Sequence, residues 1–144
     1  MNNSVEAKSS TEQTANFNED LNKAHDYWVH NKLGSSYYRN GDYEKSIEEY
    51  QKAIQIIESA ADEYLRTDVS KEYRDSVNHE LKVNSQVFSR YGVIEALEKA
   101  GRYEEAIRNI DWLMQNQKVK GKEELLKQKL EGMKQSILQK MHQS

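Results

Sequence analysis

An Asn40-Gly41-Asp42 break divides the stretch from Leu33 to Ile56 (LGSSYYRNGDYEKSIEEYQKAIQI) into two short amphipathic segments, and it limits the fold more than any other feature. Glycine enters the left-handed backbone region without steric cost, which is how many helices are closed. Asp42 follows at once, with a carboxylate suited to the free N–H groups that open the next helix. Tyr43, Ser46, Ile47, Tyr50, Ala53, Ile54 and Ile57 recur at steps of three and four and so share one helical face. Before the turn, Leu33, Gly34 and Tyr37 supply the facing side, and Gly34 and Ser46 are small enough for two backbones to approach closely. Two helices that bury one side on each other, and leave another side wanting a neighbour, follow the logic of a helical repeat.

The spacing His30-x2-Leu33-Gly34-x2-Tyr37, then Gly41-Asp42-Tyr43, then Ser46-x3-Tyr50 and Ala53, resembles the tetratricopeptide repeat, a helix-turn-helix unit of about 34 residues. His30 stands where Trp is common, Ser46 where Ala is, and Glu58 at the usual proline site. Without that proline the second helix is expected to run on past Glu58. A second copy lies downstream: Gly101-Arg102-Tyr103, then Ala106-x3-Ile110 and Leu113, with Val93 and Leu97 matching Leu33 and Tyr37. There Ile94 replaces Gly34, which speaks against a close helix approach, and Arg102 is a poorer cap than Asp42. The two turn glycines are 60 positions apart, well beyond one repeat, so the surplus must lengthen the connection.

With 144 residues the chain fits one domain, and the lack of proline and cysteine beside 31% charged residues favours an all-α fold. Disulfides, thiolate chemistry and zinc-finger ligation are excluded. No basic start followed by an apolar core is visible, nor an apolar run approaching the roughly 20 residues needed to span a bilayer. The expectation is a soluble, cytoplasmic protein without membrane contact. Net charge is −3, but seven lysines from Lys118 onward face only Glu123, Glu124 and Glu131, leaving −7 on the remainder. That acidic body argues against nucleic acid as a partner. The basic C-terminal helix reads as a solvated face, the alternative being a contact with something acidic, the rest of the same protein among the candidates.

Taken in order, residues 1–18 read as a disordered polar tail and 19–144 as the helical domain. The expected architecture is antiparallel helical hairpins with elongated helices: a first repeat over 27–58, an extended helical connection over 59–86, a second repeat over 87–117 and a capping helix over 121–142. Asn18 or Asp20 can start a helix reaching Asn40, with Leu21, Ala24, Trp28, Leu33 and Tyr37 as candidate buried residues. Its partner is expected to run from Tyr43 to Leu65 or Arg66. From Ser70 to Ala100 the pattern gives one long helix, or two nearly collinear ones parting near Val83-Asn84. Leu126, Leu130, Met133, Ile137 and Met141 form a last stripe, read as a cap over the final repeat; a coiled-coil seam making a homodimer competes with it.

Catalytic groups are not evident. His25, His30, His79 and His142 make no metal-ligand spacing, no glycine-rich loop follows a strand, and no serine sits in a nucleophile elbow. Adjacent carboxylates such as Glu48-Glu49 point to different sides of a helix. No enzymatic activity, cofactor or metal is expected. In the family it resembles, the first helix of each hairpin lines a concave groove for peptide segments of partner proteins. Carried over, the lining is Trp28, Asn31, Lys32, Ser35, Tyr38 and Arg39 from the first copy and Phe88, Tyr91, Glu95 and Lys99 from the second. For Trp28, burial under the N-terminal extension or the C-terminal helix ranks ahead of ligand contact. Asn31, Lys32, Ser35 and Arg39 are weighed evenly between simple solvent exposure and a binding role. Tyr38 and Arg39 beside Trp28 suit a peptide with an acidic or aromatic anchor. The Lys/Asn clamp of chaperone-binding members is disfavoured, since Asn31 and Ser35 stand where it begins and Gly92 where the next Asn belongs. The function implied is an adaptor or scaffold. The alternatives are a self-assembling structural protein and a small secretion-type chaperone.

Overall fold

The computed structural model describes residues 25–60 and 71–143. Helix α1 covers 25–39, α2 Tyr43–Ala60, α3 Lys71–Lys99, α4 Tyr103–Asn116 and α5 Glu123–Gln143, and there is no strand among the described residues. The expected start of α1, the reach of α2 beyond Ala60, and the tail with Phe17 lie outside the described residues. α3 is one unbroken helix through Val83 and Asn84.

Both hairpin turns have one geometry. Gly41 and Gly101 take φ of +79° and +76°. At the first, Gly41 N–H donates to Tyr38 O (3.1 Å) and Asp42 N–H to Tyr37 O (2.9 Å). At the second, Gly101 N–H donates to Glu98 O (3.1 Å) and Arg102 N–H to Leu97 O (2.9 Å). These crossed bonds are the Schellman closure, which satisfies carbonyls that a helix end leaves free. Arg102 makes no side-chain cap, as its chemistry predicts. Its guanidinium instead donates to Glu105 (2.8 and 2.7 Å) and to Glu44 in α2 (2.8 Å), tying the two turns together.

The helices form two layers. In the first hairpin Ser46 Oγ donates to Gly34 O (2.7 Å), and His30 Nδ1 lies 2.5 Å from Glu49 Oε2. Between α1 and α3, Ser89 Oγ donates to Asn31 Oδ1 (2.7 Å) and the Tyr27 hydroxyl to Ser85 O (2.6 Å), so these helices run parallel. α5 repeats the relation to α3: Lys129 lies over the Tyr91 ring and Lys140 pairs with Glu98. Helices α1, α3 and α5 therefore make the inner layer, and α2 and α4 the outer one. Between the layers lie Ile47, Ile54, Val93, Ile94, Leu97, Ala106, Ile110 and Leu113, with Leu130 and Ile137 from α5. Ala53 is fully buried as well. Ile94, despite standing where the first copy has glycine, is completely buried in the same core cluster as Ala106.

Several expectations need correction. Leu33 remains 38% exposed, and Trp28, expected to be buried, is 55% exposed. Tyr37 is half-buried, with Lys45 Nζ 5.6 Å from its ring centre. At the proline site Glu58 accepts from Gln86 Nε2 (2.9 Å) and pairs with Lys82 (2.6 Å), tying α2 to α3. Arg90 continues that network to Asn109 Oδ1 (2.7 Å) and stacks on Trp112 at 4.1 Å. The basic terminal helix is partly spent on its own chain: Lys134 pairs with Asp111 (2.9 Å), and Leu130 and Ile137 bury against the neighbouring helices. No helix among the described residues is long and apolar enough to cross a membrane.

Candidate functional site

The parallel approach of α1 and α3 opens a pocket of about 430 Å³ on the inner layer, lined by Tyr27, Trp28, Asn31, Lys32, Ser35, Arg39 and Phe88. Such a volume falls within the range of roughly 300–1,000 Å³ common to ligand pockets. Trp28 at 55% and Phe88 at 62% exposure stand on either side. Lys32 Nζ sits 4.6 Å above the Trp28 ring, and His25 stacks beside the same ring. Among the described residues Arg39 donates to Ser36 Oγ, at 3.4 Å.

Charge sets this pocket apart. Lys45, Lys52, Lys82, Arg90, Arg102, Lys134 and Lys140 all sit in ion pairs. Among the described residues no carboxylate pairs with Lys32 or Arg39, and none lines the pocket. Two cations seven residues apart on one helix are separated by about 10 Å along its axis. Between them lies the Ser35 hydroxyl.

Of the ten residues assigned to the groove from sequence, six line this pocket: Trp28, Asn31, Lys32, Ser35, Arg39 and Phe88. Asn31 is buried and spends its amide oxygen on Ser89, so its first role is to hold α1 against α3. Tyr38 is half-buried and meets Tyr43 edge-on at 5.5 Å; burial, then the nearby Glu95 carboxylate, pushes its phenol up. Tyr91 packs on the core under Lys129, and burial raises its phenol too. Glu95 and Lys99 are exposed further along α3, outside the pocket.

Sequence reasoning missed Tyr27 as a lining residue and Gly92 as a packing residue. Tyr27 stands inside the expected first repeat but was not among the groove positions carried over from the family. Gly92 entered the sequence reading at the position of the clamp's next Asn, yet it admits the ring of Tyr50.

The comparisons place one stretch. Residues 27–60 match the family model of the tetratricopeptide repeat, a span that starts at Tyr27 in the pocket wall and ends with α2. No match was found among curated proteins or among solved structures.

Proposed function

We propose, from the tetratricopeptide repeat formed by residues 27–60, that this chain is an adaptor that takes a short acidic peptide segment of a partner protein into the groove between α1 and α3. Repeats of this family serve protein–protein interaction. The observation that carries the finer reading is the pairing of two exposed aromatic walls with two cations that no described carboxylate neutralises. Trp28 and Phe88 offer desolvation energy to one bulky apolar side chain, and aromatics are the usual anchors of interfaces. Lys32 and Arg39 then favour Asp or Glu flanking that anchor, and Arg39 can grip a carboxylate with two parallel N–H bonds. The self-assembling alternative loses part of its basis in α5, where Leu130, Met133 and Ile137 of the apolar stripe pack within the chain.

The test is selection from a random peptide display library on the intact chain and on a Trp28→Ala, Lys32→Ala, Arg39→Ala triple variant with unchanged circular dichroism. Peptides with an aromatic or large aliphatic residue beside Asp or Glu should be enriched on the intact chain alone. Equal enrichment on both would move the binding surface away from the groove.

A further inference from the structure

The turn that closes the first hairpin carries a reactive pair. Asn40 is the one asparagine of the chain that a glycine follows. An asparagine loses ammonia when the backbone nitrogen of the next residue attacks its side-chain amide, and a following side chain hinders that approach. Gly41 has none. Asn40 is exposed, and among the described residues no hydrogen bond holds its side-chain amide. What restrains the reaction is the backbone of the turn. Gly41 sits at φ +79°, and the attacking nitrogen is the one whose N–H donates to Tyr38 O (3.1 Å). Asn40 N–H donates in the same way to Ser36 O (3.1 Å). Attack therefore waits for the end of α1 to open, a local event that needs less free energy than unfolding the chain. Asn84 also precedes a small residue, Ser85, but it stands inside α3 with helix on both sides.

We propose that Asn40 is a site of spontaneous deamidation, gated by opening of the turn, through which the chain acquires a carboxylate beside Arg39. The Gly41 nitrogen forms a bond to Asn40 Cγ, its proton leaves with the side-chain nitrogen as ammonia, and a five-membered succinimide remains. Water then opens that ring at either carbonyl and gives aspartate or isoaspartate. Both products place a negative charge at the C-terminal end of α1, where the helix dipole disfavours it, and close in sequence to Asp42 and Glu44. Isoaspartate also adds a methylene to the backbone, so the crossed bonds that close the turn lose their register. Arg39, whose bond among the described residues goes to Ser36 Oγ at 3.4 Å, gains a carboxylate at the adjoining position. An acidic peptide then meets a groove with one cation partly neutralised, a consequence that rests on the groove reading above.

The intact chain and a synthetic peptide of residues 36–45, as the unfolded reference, are aged side by side in mildly alkaline buffer and mapped by mass spectrometry. The mass gain of amide-to-acid conversion should appear at Asn40 and not at Asn84. It should come at least about tenfold more slowly in the folded chain than in the peptide, because only the opened turn reacts. Labelling by an isoaspartate-specific methyltransferase should mark the aged chain and leave an equally aged Asn40→Gln variant unmarked. An Asn40 that remains an amide while the peptide converts overturns the proposal, and an equal rate in chain and peptide overturns the gating. The groove is read separately. Asn40→Asp, titrated with the tightest peptide from the display selection, should bind several-fold more weakly than the intact chain at low ionic strength and equally at high. Unchanged affinity overturns the link to Arg39 while the groove reading stands. If no peptide depends on Trp28, the groove reading falls and the chemistry at Asn40 is untouched.

Discussion

Gly92 and Gly132 both lie inside helices, where alanine is ordinarily favoured over glycine by about 1 kcal/mol. A methyl group on Gly132 meets nothing within 4 Å, so Gly132→Ala should raise stability by about 0.5–1 kcal/mol. On Gly92 the same methyl group runs into the Tyr50 ring, and overpacking of that kind costs about 1–3 kcal/mol. Gly92→Ala should therefore lower the urea midpoint where Gly132→Ala raises it, and the loss should shrink in a Tyr50→Leu background. Equal shifts of one sign would mean that the ring is not wedged there. Gly34→Leu should jam the first hairpin for the same reason. Gly34 was legible because it sits in a motif of fixed spacing, whereas Gly92 has its reason in a ring far away in the sequence. No local pattern around Gly92 signals that.

At the scale of the helix, the two turns are closed by glycines that no β-branched residue replaces without strain. Gly101→Val should cost about 1–2 kcal/mol, read as a loss of melting temperature with a native-like helical spectrum. Both turns were readable from sequence. The Arg102 bridge from Glu105 to Glu44 was not, because only folding brings the second turn beside the first. Ion pairs between helices also set the response to acid. Hydrogen bonds from Arg102 hold the Glu105 carboxyl below the usual range. Burial pushes the Glu49 and Glu58 carboxyls up, but His30 and Lys52 at the first and Lys82 and Gln86 at the second outweigh it, so both end lower. A carboxyl depressed in the folded state takes up its proton first in the unfolded chain. Its stabilisation is complete above the ordinary glutamate value of about 4.3 and is lost as pH falls through the lower folded value. Urea midpoints should hold near neutrality and drop below about pH 4.3, and Glu49→Gln should flatten that drop. An unchanged slope would remove Glu49 from the account.

For the whole molecule, the two cations beside the groove give binding a salt dependence. Peptide affinity should fall several-fold as ionic strength rises from about 0.05 to 0.5 M, where the screening length shrinks below about 10 Å. Arg39→Gln should remove much of that dependence, and a salt-independent affinity would point to the aromatic walls alone. The alternation of helices was legible because turn glycines and three-four periodicity are local. Which inner-layer residues face the pocket was only half legible. Trp28 and Asn31 exchanged their expected places: the tryptophan stands exposed, and the asparagine is buried on Ser89. Helical spacing gives a face, but the angle at which α3 crosses α1 decides which part of that face is covered.

The shared turn geometry has a consequence for how such a chain can change over time. Both turns lie at one end of the stack, tied through Arg102 and Glu44, while the end of α2 and the start of α3 lie at the other. The register of Tyr27 on Ser85, Asn31 on Ser89 and Tyr50 on Gly92 is counted from the tied end. Whole helical turns inserted into, or deleted from, both arms at the far end would leave that count untouched. Descendants of this hairpin pair can thus differ widely in length and still inherit one groove, with their history written at the end that the groove does not read.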